Sequence, residues 1–572
     1  NFGAGSIGSM NSTDGFFRNS YTGEKVDFER QGLAKMKLSW RPSEKILVEN
    51  SAWVALLRQG GYPYESVETG LINHNDTCFY RRVTMVDGLT ARYFGRDFSL
   101  SSITGFQYHN DDMTLDQDFM PEDYFTLSQR RHEWSLTQDF VGKGSVGSYT
   151  WLGGVYGFYR RYNMNAPVTF GNDGIERLIE NNINSALPPS LGMKLLWDER
   201  EMLLDSRFHS PIWGWALYHK SEYNWRRFTF SAGLRLAFER TDLRYRSQVN
   251  TSATMYRSVP TPAGNQLVPI MTREIDLTLA DAMHLTSLQL LPEFKVSYRL
   301  TPDAAVGMIV SKGYKSGGYN TQMFSDILQQ EMMKSAGPAG GNAPSSDEDS
   351  YNPADVISYK PETSWNYEID AKANIPSAGL SLEFSAFYLR CRDQQMTVFP
   401  DENSTGRMMA NAGKTRSCGV ELSAIYAPVS YLRFAASYGL ADARFVDFND
   451  GRHDYKDNYV PYAPQTTFLA SATYRLSTPW KELTAIEPTV TCRGAGRIYW
   501  NEANSLSQPF YAQLGASVTF RTPYADIDFW GENLTGTKFN TFYFESIGHS
   551  FLQRGNPRRM GVTVRFSLSF AQ

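Results

Sequence analysis

The sequence predicts an all-β fold, one large antiparallel transmembrane β-barrel. Apolar and polar residues alternate with period two over long segments. The connections between those segments alternate between short and long. Aromatics make up 14% of a chain whose mean hydropathy is only −0.42. A strand sends successive side chains to opposite faces, so this alternation gives each strand one apolar and one polar face. Many aromatics on a polar background suit a wall with lipid outside and water inside.

In chain order, Phe228, Phe230, Ala232, Leu234, Leu236 and Phe238 oppose Thr229, Ser231, Gly233, Arg235 and Glu239. Phe294, Val296, Tyr298 and Leu300 oppose Glu293, Lys295, Ser297 and Arg299. Phe510, Ala512, Leu514, Ala516, Val518 and Phe520 oppose Tyr511, Gln513, Ser517 and Thr519. Val562, Val564, Phe566, Leu568 and Phe570 oppose Thr563, Arg565, Ser567 and Ser569. A soluble sandwich alternates too, but its strands run about five or six residues, whereas a tilted spanning strand needs about 9–11. The segments here fit the longer class, and the alternation gives about 20 of them. Arg235, Glu239, Lys295, Arg299, Arg433 and Arg565 are expected to face the lumen. Phe230, Leu234, Phe294, Tyr298, Phe566 and Phe570 are expected to face lipid, where a charge near the midplane costs about 2–4 kcal/mol.

The connections fall into two classes. Residues 41–44, 142–145, 301–303, 376–379, 427–430 and 522–523 are read as tight turns, and residues 59–82, 163–207, 244–282, 316–360 and 535–559 as long loops. Long and short connections trading places along the chain are the pattern of an outer-membrane barrel, with short turns periplasmic and long loops outside. Gly337–Ser350, rich in Gly, Ser, Pro and acids, reads as a loop tip. Its acidic run from Ser345 to Ser350 is a solvated loop before it is a calcium site.

Several function classes are excluded. A net charge of −4 gives no concentrated basic face for nucleic acid. No uncharged apolar run approaches the roughly 18 residues of a transmembrane helix, which says nothing against a barrel. Cys78, Cys391, Cys418 and Cys492 are scattered without CxxC spacing and predict free thiols. Gly3–Gly8 and Gly142–Gly147 both spell GxGxxG, but neither opens a helix within a βαβ unit, so they read as a glycine-rich strand and a turn. HExxH and GxSxG are absent and the eight His are dispersed, so the sequence predicts no enzyme.

Several phrases carry a family resemblance. They are Ser311–Asn320 (SKGYKSGGYN), Tyr359–Glu368 (YKPETSWNYE), Asn411–Leu422 (NAGKTRSCGVEL), Val460–Pro464 (VPYAP) and Glu532–Thr535 (ENLT). Pro557-Arg558-Arg559 then leads into the last strand. In this order they resemble the barrel of TonB-dependent receptors, in wording closest to ferric-siderophore receptors of the pesticin and yersiniabactin type. Residues 290–572 carry the motifs, and the earlier part fits by barrel pattern alone. The resemblance implies a 22-stranded barrel with a plugged lumen. On that reading residues 1–572 are the barrel domain, with a plug, its TonB-contacting segment and the first two strands expected upstream of Asn1. A start at Asn1 rather than Met fits a processed or excised piece.

The resemblance further implies active import of a scarce nutrient across the outer membrane of a Gram-negative bacterium. A ferric-siderophore complex is the first expectation, with cobalamin, an oligosaccharide, a peptide or passive porin behaviour as alternatives. The implied partners are outer-membrane lipid, a TonB-type energy-transducing complex acting through the plug region, and an iron-chelate ligand; no resident cofactor or metal is implied. Candidate ligand contacts lie where strands meet long loops: Arg58, Tyr62, Tyr64, Arg81, Arg82, Tyr314, Lys315, Tyr319, Tyr499 and Trp500. Aromatic rings stack on phenolate or catecholate groups, and Arg and Lys attract an anionic chelate. The same aromatics also suit an interfacial girdle.

Overall fold

A computed structural model describes residues 1–262, 264–336, 357–398, 408–449 and 453–566. Its main sheet holds 23 antiparallel strands, of which Val168–Phe170, Met193–Trp197 and Leu476–Ser477 are short additions. The remaining 20 form the barrel wall, which matches the alternation. Each wall strand pairs with its neighbours in chain order, from Phe2–Thr13 to Arg559–Phe566. These two end strands do not pair with each other among the described residues. At the long-loop rim, Tyr64–Ser66 instead pairs with His549–Arg554, and Arg554 forks onto Glu65 at 2.7 and 3.2 Å. Loops therefore bridge the first and last parts of the chain.

The two faces of the wall separate as the alternation requires. Leu234 is 49% exposed and Phe294 57%, both outward. Lys295 turns inward to Asp370 at 3.3 Å, and Arg235 lies over the Tyr156 and Tyr218 rings. Lys220–Glu293 at 2.7 Å and Arg521–Glu487 at 2.8 Å tie further strands together on the inner face. Phe570 lies outside the described residues, as does Gly337–Ser350. A polar interruption crosses the outer face: Asn50 donates to Asp87 at 2.7 Å and Thr104 to Gln138 at 2.6 Å, among exposed Met85, Leu89, Phe106 and Leu136. Each of these groups bonds a neighbour, which lowers the cost of placing them there.

Several connections differ from the sequence reading. Residues 244–282 are not a loop but the continuation of one hairpin, Phe228–Thr261 against Gly264–Thr301, paired nearly throughout. Its extension is held by packing: Leu243, Val249 and Ala253 are buried against the loop layer. The turn expected at 142–145 lies further on, between Val146 and Tyr149, where Gly147 takes φ +58°. A left-handed backbone is what fixes the turn at that glycine. Loop 316–360 contains the helix Met323–Ala336, and loop 163–207 contains short helices between Asn172 and Ala186. The helix buries Phe324, Leu328 and Met332.

A packed apolar core exists, but it sits in this loop layer. Phe551, Phe119, Phe544, Ile179, Leu195, Leu204 and Leu328 are buried together over the long-loop rim.

Candidate site in the mouth of the barrel

Two cavities open among the loops and the upper lumen. The first, about 650 Å³, is lined by Tyr62 and Tyr64, by Phe539 and Phe542 of the last loop, and by Arg493, Arg554 and Arg559. Tyr62 stacks on Tyr64 with centroids 5.5 Å apart, and Tyr64 meets Phe119 and Phe544 edge-on. The aromatic chain continues from Phe542 to Tyr462 at 5.5 Å and on to Trp500 at 5.6 Å. Its guanidinium groups are all engaged. Arg554 holds Glu65, and both Arg559 and Arg493 reach Glu532.

The second cavity, about 610 Å³, lies against the strands Phe125–Val146, Tyr149–Asn165, Met202–Trp225 and Phe228–Thr261. The segment from Lys315 to Tyr319 folds over it, and Tyr359 closes one side. Arg131, Glu133, Arg160, Tyr162 and Glu239 project into it from the wall. Arg131 shares the buried Asp111 with Arg82, which forks onto the same carboxylate at 2.8 and 3.2 Å.

The structure distributes the sequence candidates unevenly. Tyr62 and Tyr64 line the first cavity; Lys315 and Tyr319 line the second. Arg82 faces inward beside the second cavity through Asp111. Arg58 and Arg81 are directly opposite each other in the register, on the face that carries exposed Leu56 and Met85, so they point away from the lumen. Arg81 lies 4.4 Å over the Phe79 ring. Tyr314 lines neither cavity; Tyr499 stacks on Tyr459 at 5.2 Å, and Trp500 is buried in the aromatic chain.

Sequence reasoning missed Arg131, Glu133, Arg160 and Tyr162. A signal for two of them was present. Arg-Arg pairs stand at 81–82, 130–131 and 160–161 near the long-loop ends of their strands. Strand parity must send one member of each pair inward, and the inward members are Arg82, Arg131 and Arg160.

Above the rim, Asp118 accepts the amides of Met120 at 2.8 Å and of Tyr124 and Phe125 at 3.2 Å. Burial pushes the proton affinity of both Asp116 and Asp118 upward, and at Asp118 the neighbouring Asp116 carboxylate adds to it. Burial also raises the Cys78 thiol to about 12, which leaves it unreactive near neutral pH.

Comparisons with known proteins agree with this architecture. The family model described as TonB dependent receptor-like, beta-barrel, matches residues 36–534. The ferric yersiniabactin uptake receptor FyuA from Yersinia pestis superposes with a TM-score of 0.71 at 18% identity, over 99% of this chain and 75% of that one. The siderophore receptor PiuA from Acinetobacter baumannii gives 0.66 at 10% identity, over 99% and 77%. The copper transporter OprC gives 0.63 at 12% identity, over 99% and 78%. At these identities the superpositions establish the fold.

Proposed function

The chain belongs to the TonB-dependent receptor family through its β-barrel, and from that premise we propose that it imports a ferric-siderophore complex. It does so across the outer membrane of a Gram-negative bacterium, with energy from a TonB-type inner-membrane complex acting through a plug expected upstream of Asn1. The observation that carries this reading is the mouth of the barrel. Two cavities of about 650 and 610 Å³ there combine aromatic rings with Arg and Lys, and sites of that size bury a small organic ligand. Stacking rings suit the aryl groups of a chelator and the cations suit its anionic oxygens. The siderophore receptors among the structural neighbours support the same reading.

Import against a gradient requires work from outside the barrel. A receptor with its upstream part, placed in cells stripped of other iron-uptake routes, should take up radio-iron-labelled chelate only when the energy-transducing complex is present. Uptake that persists without that complex would favour a passive pore.

A further inference from the structure

We propose that the outside of the wall carries a site for a phosphate-bearing lipid of the outer leaflet. A row of arginines holds the headgroup, and an apolar groove on the same face holds an acyl chain. This rests on the wall spanning the outer membrane and is independent of what the barrel imports.

The row follows from strand register. Arg30 lies directly opposite Arg58, and Arg58 directly opposite Arg81. The row continues through Asp112 to Arg130. All five share the outward parity of Leu56 and Met85. The four arginines are exposed. Asp112 pairs with Arg130 at 3.5 Å. Among the described residues Arg30, Arg58 and Arg81 make no ion pair, and Arg81 lies over the Phe79 ring. Like charges directly opposite each other on a sheet destabilise it. Three of them side by side, with no carboxylate between, call for an anion from outside. Phosphate fits, because guanidinium groups fork onto its oxygens.

Position decides between a lipid and a free anion. Arg58 and Arg81 stand just inside the long-loop ends of their strands, which close at Gly60 and open at Phe79. A hollow of about 460 Å³ there is lined by Leu56, Arg58, Arg81, Val83, Asn110 and Asp112. About 14 Å further down the strands, Met85, Tyr108 and Trp134 form a row on the same face. Tyr and Trp mark the membrane interface of a barrel, so the arginines stand at the level of the headgroups. At the depth of the Met85 row, a groove of about 620 Å³ is lined by Gly8, Ala34, Met36, Ala52, Met85 and Phe106. Its small residues leave room for a chain, and its larger ones are apolar. Asp87, on its lower row, accepts from Asn50 at 2.7 Å. A phosphate monoester with acyl chains fills both the row and the groove. A free anion fills only the row, and a neutral lipid only the groove.

The test uses the receptor assembled in outer membranes and extracted in neutral detergent, with native mass spectrometry reading the bound lipid. The probes are dioleoyl phosphatidic acid, dioleoylglycerol with the same chains and no phosphate, and inorganic phosphate as a competitor. Phosphatidic acid should be retained far better than dioleoylglycerol, and inorganic phosphate at equal concentration should not displace it. Arg30→Gln, Arg58→Gln and Arg81→Gln together should weaken its binding about a hundred-fold, and Arg58→Gln alone about five-fold, the usual contribution of cations near an anionic headgroup. Ala52→Trp fills the groove and should weaken binding with the arginines in place. Arg41→Gln, Arg226→Gln and Arg227→Gln together remove the same charge from the short-turn rim and should change nothing. Heat-modifiable gel migration checks assembly, and Arg58→Gln alone carries the test if the triple variant does not assemble. Equal retention of dioleoylglycerol, or retention of phosphatidic acid unmoved by the arginine substitutions, overturns the site. Displacement by equal inorganic phosphate makes the row a soluble-anion site and overturns the lipid. Each of these outcomes leaves the import reading standing, because chelate uptake tests that separately.

Discussion

The barrel wall and the loop layer above it are built on opposite rules. On the wall, large apolar side chains stand outward and half exposed, as Leu234 and Phe294 do, while charges pair inside. In the loop layer, Phe551, Leu204, Ile179 and Leu328 are wholly buried. One chain thus serves two solvents. Lipid completes the environment of the wall, so the wall needs no apolar centre. Water surrounds the loops, so they must make their own core, and that core fixes the two cavities in the barrel mouth.

The sharpest way to break this comparison is to empty each region in turn. Phe551→Ala removes a ring from the loop core and should cost the loops about 3–5 kcal/mol. Loop proteolysis on intact cells should rise and chelate binding should fall, while heat-modifiable migration of the barrel stays normal. Loss of barrel assembly would show that the two regions are one cooperative unit. Leu234→Arg should have the reverse phenotype. An outward charge costs about 2–4 kcal/mol at the midplane, so assembly should suffer, whereas Ser297→Arg on the inner face should assemble.

Two smaller effects sharpen the account within the loop layer. Glu65→Gln removes the forked partner of Arg554 across the ends of the chain. Because Arg554 is partly solvated, about 1 kcal/mol is expected, read as faster hydrogen exchange in His549–Arg554. The pH dependence is smaller still. Burial raises the proton affinity of Asp116 and Asp118 above the ordinary carboxylate range. The packed loop therefore holds protons that an unpacked loop releases, so this contribution is complete in acid and is lost as pH rises above that range. Proteolysis near residues 116–125 should increase from mildly acidic to alkaline pH, and Asp118→Asn should flatten the profile.

The wall was legible in the sequence because parity alone decides each residue's surroundings. Phe228–Phe238 shows its two faces without knowledge of any partner strand. The loop layer was not legible, because its core joins Tyr64, Phe119, Ile179, Leu328 and Phe551, far apart in the chain. For the same reason the sequence of residues 244–282 suggests a loop although the chain forms a hairpin there: what extends it is burial of Leu243 and Val249 under distant segments. The site was legible in part. Tyr62, Tyr64, Lys315 and Tyr319 come to the cavities, whereas Arg58 and Arg81 fall on the outward parity. Applying the strand rule to each Arg-Arg pair separates Arg81 from Arg82 and brings Arg131 and Arg160 into view.

The division between wall and loops can be measured residue by residue. Single cysteines placed through Phe228–Glu239 and Asn540–Arg554 can carry a fluorophore, with a quencher fixed in the lipid acyl chains. Quenching should alternate with period two along Phe228–Glu239, strong at Phe230 and Leu234 and weak at Ser231 and Arg235, and should be absent through Asn540–Arg554. Uniform quenching along the wall segment, or quenching in the loop segment equal to that of Leu234, would contradict a lipid-facing barrel under a water-facing binding layer.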